Sequence, residues 1–289
     1  MLSSLAGVLF DGFAYGMLLF LLSVGLSVTL GMMNFVNLAH CSFAMVGGYA
    51  TVTLINRFGW PFLATLPVAF IAAGVVSLVL EKLLFKKLYR ASDLDQCLLT
   101  IGIVFISIAA YAWFYTSEQQ SAPLPGWLQG TIPLPSLGLN LAVYRVFLIA
   151  VSLVVTGLLI FLVERTRFGA QVRAAVDNQR MARGLGIDVD RSFMVTFALG
   201  GGLAGLGGAL AIQTVGLDPT FALTYLVYVL IVVSVGGLGS IAGSFVAAVV
   251  LGISDMAGKY YFPWLGAFLI YLVMIALLMW RPVGLFGRR

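Results

Sequence analysis

Apolar runs separated by short polar stretches fill the chain, and their lengths decide what it can be. A helix needs about 20 apolar residues to cross a hydrocarbon core. Runs of that order occupy 8–30, 62–80, 98–116, 146–163, 193–213 and 264–280. Three others, 34–56, 220–236 and 241–256, are shorter or interrupted by polar and glycine positions. The pattern predicts an all-α polytopic membrane protein with eight to nine transmembrane segments, some broken or re-entrant. One transmembrane domain over 1–289 accounts for all of them. The first run reads as a crossing rather than a cleaved leader, because residues 1–10 carry no Lys or Arg and Asp11 is acidic.

Composition agrees, with 61% hydrophobic and 9% charged residues against about 25% charged in ordinary globular domains. A nucleic-acid-binding domain, a secreted disulfide scaffold and a disordered linker are all excluded. The 33 glycines follow no G-X-Y period and suit close helix approach in a bilayer. Cys41 and Cys97 share no C-x-x-C or Cys/His spacing, so neither a disulfide nor a metal site is expected.

Orientation follows from where Lys and Arg fall. Lys82, Lys86, Lys87 and Arg90 follow the third segment. Arg165, Arg167, Arg173, Arg180, Arg183 and Arg191 follow the fifth, and Arg281, Arg288 and Arg289 close the chain. With the N-terminus outside and the C-terminus cytoplasmic, all but Arg57, Arg145 and Lys259 of the 16 basic residues lie inside. An odd number of spans is then required, and nine is preferred unless 220–256 holds a re-entrant pair. The loop from Thr116 to Tyr144 is outside and rich in Pro and Gly. It is either a surface for an extracytoplasmic partner or a plain connector.

The stretch Asn34–Ser42 belongs at membrane depth, because Phe43 to Ile55 alone is too short to span. Asn34, Asn37 and His40, or Asn34, Asn37 and Cys41, would share one helical face. Buried polar groups in lipid face the bundle interior or a passage, which places Asn34, Asn37, His40 and Ser42 by the path. His40, the one histidine, reads better as a hydrogen-bonding peg for backbone freed by a broken helix than as a catalytic or metal group.

Two glycine clusters stand out. Gly200-Gly201-Gly202-Leu203-Ala204-Gly205 formally matches G-x-G-x-x-G, but a nucleotide site needs a preceding strand. Packing through the Gly201/Gly205 pair is the better reading. The run from Ser234 to Gly243, with Gly236, Gly237 and Gly239, separates two shortened apolar stretches. It is either unwound backbone beside a translocation site or a tight turn between helices.

The polar segment 164–191 is the longest. Phe168, Val172, Ala175 and Val176 recur at helical spacing, so a helix is expected over 168–183, with Gly184 and Gly186 suited to its stop. Such an amphipathic helix either inserts into a soluble partner or lies on anionic lipid.

No G-x-x-x-x-G-K-[ST], H-E-x-x-H or G-x-S-x-G sequence is present, so the chain holds no phosphate loop of its own. Acidic residues within the candidate spans are confined to Asp11 and Asp255, near segment ends. A proton-driven carrier would need a buried relay, so energy is expected from another subunit. A stand-alone secondary transporter or channel is the alternative. An intramembrane enzyme would need a nucleophile or metal cluster that the sequence lacks, so no catalytic residue, metal or cofactor is expected.

Four stretches together resemble the membrane permeases of branched-chain amino acid (hydrophobic amino acid and amide) ABC importers, in particular the shorter of two paralogous types. They are Gly31–His40 with Gly47-Gly48-Tyr49; Arg165–Gly169 through Asp177 with Leu185-Gly186-Ile187; Gly236–Gly243; and Arg281–Gly287. Their order and spacing cover essentially the whole chain. The resemblance implies a permease subunit in the inner membrane, working by alternating access. It also implies a homologous membrane subunit, two cytoplasmic ABC ATPases that consume the ATP, and an extracytoplasmic solute-binding protein. It makes 168–186 the coupling helix, with Arg167, Phe168, Gly169, Ala174, Asp177, Arg180, Gly184 and Gly186 at the ATPase contact. It sets Asn34–Ser42 beside the translocation path. Cys41 and Ser42 stand where the family commonly has glycine and often an acidic residue, which leaves the solute open.

Overall fold

The computed structural model describes residues 2–33, 35–89, 91–134 and 139–287, the side chains at 2, 3, 32, 33, 134 and 267 excepted. Asn34, Arg90, Arg288 and Arg289, named above, lie outside the described residues.

The apolar runs form α1 (Leu2–Met33), α2 (His40–Phe58), α3 (Phe62–Leu80), α5 (Asp93–Tyr115), α6 (Val143–Arg165), α9 (Val189–Ala211), α10 (Phe221–Gly236), α11 (Ile241–Tyr261) and α12 (Gly266–Trp280). A π-helical turn (Glu81–Phe85) and the short α4 (Lys86–Leu88) prolong α3, and α7 (Arg167–Asp177) and α8 (Gln179–Gly184) follow α6. Among the described residues, 6 helices are long and apolar enough to cross a membrane: Ser4–Gly31, Phe62–Leu88, Asp93–Tyr115, Val143–Arg165, Val189–Ala211 and Ile241–Tyr261. The chain is thus a multi-pass membrane protein.

Local chemistry fixes the helix ends. Gly59 takes a left-handed φ of 65° after α2, and its N–H and that of Trp60 return to Ile55 and Leu54, as a Schellman stop requires. Ser92 caps α5 by accepting from Asp95 N–H, and Ser240 caps α11 by accepting from Gly243 N–H.

The core is built on α1 and α9, the two most enclosed spans, with 89% and 72% of their apolar windows buried. The glycine run of α9 meets three neighbours at backbone distance. A methyl added at Gly200 would lie 2.9 Å from the Gly25 carbonyl oxygen of α1, and one at Gly205 would lie 2.8 Å from that of Ala69 on α3. One at Gly208 would collide with the Ala44 carbonyl of α2. Gly201 also faces α3, against Ser77, so the packing reading of this cluster is what the fold uses. On the far side of α1, Gly16 touches Ala248 and Val249 of α11.

The basic residues sort by end. At the end where α1 finishes lie Lys82, Lys86, Lys87, α7, α8 and Arg281, tied by contacts such as Lys86–Asp190. At the opposite end Arg145 pairs with Asp11, and Lys259 pairs with Asp255. The described part of the Thr116–Tyr144 loop caps this second end. It holds a 3₁₀ turn (Gly126–Leu128) and an antiparallel hairpin of β1 (Thr131–Leu134) and β2 (Leu139–Ala142), with Thr131 opposite Ala142. Gln120 N–H donates to the Leu217 carbonyl at 2.7 Å, and the Gln213 amide donates to that of Ala122.

Candidate functional site

The polar stretch after α1 folds back into the bundle as non-helical chain. The His40 Nε2, at the start of α2, lies 3.0 Å from the Leu22 carbonyl oxygen. Leu22 precedes Met33 by 11 residues, about 16 Å along a helix rising ~1.5 Å per residue. Between them Phe35, Asn37 and Ala39 are buried. Their backbone polar groups need internal partners at this depth. Val36 N–H donates to Gln96 Oε1 at 3.0 Å, and Ala39 N–H donates to Asn37 Oδ1 at 3.1 Å.

This corrects the common helical face expected for Asn37 and His40; Asn34 lies outside the described residues. Helix begins only at His40, so Asn37 closes a local Asx turn instead. His40 is a peg, as expected, but its partner is the middle of intact α1 rather than freed backbone. Asn37 Nδ2 is buried without a partner among the described residues.

Beyond this segment, α2 meets α5 along a polar seam. Ser107 Oγ donates to Ser42 Oγ at 2.8 Å, Tyr49 stacks on Tyr111 at 4.2 Å and 9°, and Thr53 Oγ1 lies 2.5 Å from Tyr115 Oη. Asn56 continues it to the Ser121 carbonyl at 3.0 Å. Gln96, Thr100, Ser107, Tyr111 and Tyr115 recur at helical spacing, so one face of α5 is polar through the membrane's depth. Polar positions this deep need partners or an aqueous passage. As a whole α5 is loosely enclosed, with 11% of its apolar window buried. Tyr49 Oη and Thr51 Oγ1 are buried and lack partners among the described residues. Sequence reasoning found Ser42 but missed the rest. The available signal was the four-residue recurrence inside the apolar run 98–116.

Gly236, Gly237 and Gly239 form a tight turn between α10 and α11, so the turn reading holds. Gly237 and Gly239 adopt φ of 94° and 79°, a left-handed region that excludes most side chains. The chain's last stretch is fastened to the turn by Leu285 N–H to the Val235 carbonyl, 2.7 Å, and Phe286 N–H to that of Gly236, 3.2 Å. A methyl at Gly239 would lie 2.9 Å from Gly31 Cα, which joins the turn to the finish of α1.

The single helix expected over 168–186 is two helices. Asn178 breaks it, because its side chain accepts from Met181 N–H and starts α8 afresh. Thr166 caps α7 by accepting from Gly169 N–H, and Gly186 ends the unit at φ 81°. Gly169, Val172 and Ala175 form the buried face of α7, and Phe168 and Ala174 are half-buried. Arg167, Asp177, Arg180, Gly184 and Gly186 face solvent. So do Val176, Met181 and Leu185, which were not anticipated as contact residues. Met181 and Leu185 are 66% and 79% exposed.

Acidic residues also depart from expectation. Asp255 does not sit at a segment end but is fully buried in α11, and Lys259, lying over the Tyr15 ring, pairs with it at 2.5 Å. Glu81 was overlooked; it is buried in the π turn and accepts from Tyr89 Oη at 2.8 Å. Among the described residues, no group of three or more His, Cys, Asp or Glu side chains is placed to hold a metal ion.

Residues 8–278 match the family model described as the permease component of the branched-chain amino acid transport system. The chain is 30% identical to a probable branched-chain amino acid transport permease protein LivH of Methanocaldococcus jannaschii, over 94% of this chain and 90% of the relative. It is 24% identical to the high-affinity permease BraD of Pseudomonas aeruginosa, over 97% and 95%. Against LivM of Escherichia coli the identity is 25%, but only 68% of that longer protein is covered. No solved structure gives a significant match. Length and coverage therefore side with the shorter, LivH-like type, and the chain belongs to the family of branched-chain amino acid transport permeases, the membrane subunits of ABC importers.

Proposed function

We propose that this permease is half of a membrane pair that imports branched-chain amino acids or related small solutes across the cell's inner membrane by alternating access. The chain crosses nine times, with α1 starting outside and the basic end cytoplasmic. Two cytoplasmic ABC ATPases seat on the α7–α8 platform, a homologous permease completes the passage, and an extracytoplasmic binding protein delivers solute to the capped end. The relatives' names, which include both LivH and LivM types, support a pair of unlike permeases.

The observation that carries this reading is the platform itself. It is a capped two-helix unit, buried on one face against α1, α6 and α9, with exposed apolar and charged side chains on the other. A lipid-lying helix would turn its apolar face to the bilayer, whereas here Val172 and Ala175 face the protein. The path follows the α2–α5 seam from the Asn37–Ser42 segment to Tyr115. Gly236, Gly237 and Gly239 close its cytoplasmic end. Solute contacts are weak by necessity, because a tightly held molecule would not leave.

The test is uptake of radiolabelled leucine into vesicles holding this chain, its paralogue and the two ATPases, with binding protein outside the solute-entry face. ATP-dependent uptake, lost when the ATPases are omitted, supports the reading. Gradient-driven uptake by this chain alone would replace it with a secondary transporter.

A further inference from the structure

The non-helical segment Phe35–Ala39, which re-enters the bundle, and the α7–α8 platform are both anchored to residues at the α4–α5 connection, Tyr89 and Gln96. The Tyr89 ring lies edge-on 5.5 Å from Phe35 in the re-entrant segment and 6.5 Å from Phe193 of α9. It packs on the small apolar cluster of Ala175, Ala182, Val189 and Phe193 that joins α7 and α8 to α9. Its hydroxyl donates to Glu81 in the π turn at 2.8 Å. Single π turns inside α-helices recur at functional sites. Lys86 and Arg183 both pair with Asp190, at 2.8 and 2.9 Å, and so clamp α8 to the same region.

Gln96 completes the link from the other side. It is buried, and its Nε2 donates to the carbonyls of Leu88 and Ala91 at 3.2 and 3.4 Å. Its Oε1 accepts from Val36 N–H at 3.0 Å. With its donor groups fixed on the Leu88 and Ala91 carbonyls, its acceptor must follow them. Val36 N–H, in non-helical chain at depth, has no ladder partner to take up instead.

We infer that Tyr89 and Gln96 are positioning residues that carry movement of the α7–α8 platform to Phe35–Ala39, so that the cytoplasmic end of the path opens and closes with the platform. The inference rests on the docking reading given above. Packed contacts transmit displacement only where the elements they join have discrete arrangements, so the test must read the re-entrant segment itself.

Cys41 provides that readout, being buried one residue after His40. In the assembled complex of this chain with its paralogue and ATPases, Cys97→Ser leaves Cys41 as this chain's reporter. Its alkylation by N-ethylmaleimide is followed by peptide mass spectrometry, with and without ATP plus vanadate. The expected result is an at least fivefold change of rate on nucleotide trapping in the parent, and less than twofold in Gln96→Ala and Tyr89→Ala. The ATPases should still co-purify and hydrolyse ATP with both variants. Gln96→Glu, which keeps the acceptor but loses the amide donors to Leu88 and Ala91, should lose the response as the alanine variant does, whereas Tyr89→Phe, which keeps the ring, should retain it. Gln96→Met, which fills the volume without an acceptor, takes the place of the alanine variant should that fail to assemble. An undiminished response in the alanine or methionine variants overturns the inference, as does an unresponsive Cys41 in a parent complex that binds nucleotide. Absence of ATPase from the purified parent is a separate result: it removes the docking reading, and this inference with it.

Discussion

His40 donates from Nε2 to the carbonyl oxygen of Leu22 across 3.0 Å, joining the first turn of α2 to the middle of α1. The carbonyl can only accept, so the proton sits on Nε2 and the ring is held in one tautomer. His40→Ala should therefore destabilise the purified protein by about 1–3 kcal/mol, the cost of losing a buried hydrogen bond and its donor. Thermal unfolding in detergent measures this. His40→Gln, whose amide can donate over a similar reach, should recover more than half of the loss.

The glycine contacts on α9 give a paired experiment. Gly208→Ala places a methyl on the Ala44 carbonyl, whereas Gly157 has no atom within 4 Å of the added carbon. Overpacking of this kind costs about 1–3 kcal/mol, so Gly208→Ala should lower the unfolding temperature by several degrees. Gly157→Ala should leave it unchanged or raise it, since alanine favours a helix by up to about 1 kcal/mol over glycine.

At the α2–α5 seam, Ser42 and Ser107 meet hydroxyl to hydroxyl at 2.8 Å. A double-mutant cycle of Ser42→Ala and Ser107→Ala should return a coupling of about 0.6 kcal/mol, typical of hydrogen bonds between membrane helices. Tyr111→Ala, which removes the ring stacked on Tyr49, should reduce ATP-driven leucine uptake at least tenfold while ATPase association persists. Unchanged uptake would move the path away from this seam.

Met181 and Leu185 are 66% and 79% exposed on the platform. Replacing both with Asp should leave membrane insertion intact, because neither contributes to the buried face, and should cut ATPase co-purification at least tenfold. Quantitative pull-down from detergent extracts reads both quantities at once. Retention of the ATPase at the parental level would assign that face to another role.

Apolar run length located the helices closely: the run 62–80 became Phe62–Leu80, and 220–236 became Phe221–Gly236. Length and apolarity are local properties, so the chain alone displays them. The Asn34–Ser42 stretch was legible as a break but not as a shape, because helical spacing assumes that helix continues through it. Gln96 lies just before the apolar run 98–116 and carries no signal of its own; its contact is with Val36, 60 positions earlier. Asp255 seemed terminal in its own segment, but it is fully buried once α11 packs in the bundle, where Lys259 reaches the Tyr15 ring of α1. Asn178 is the exception, since an asparagine amid helix formers can restart a helix by itself.

The three-sided backbone contact of α9 has a mechanical consequence. A helix whose glycines touch the main chain of α1, α2 and α3 at once cannot slide past any of them without prising it from the others. Those four rods form a stiff keel, and shape change is left to the parts lashed to it more lightly. Among them α5, tethered through hydroxyls and stacked rings, is the plank that can lift.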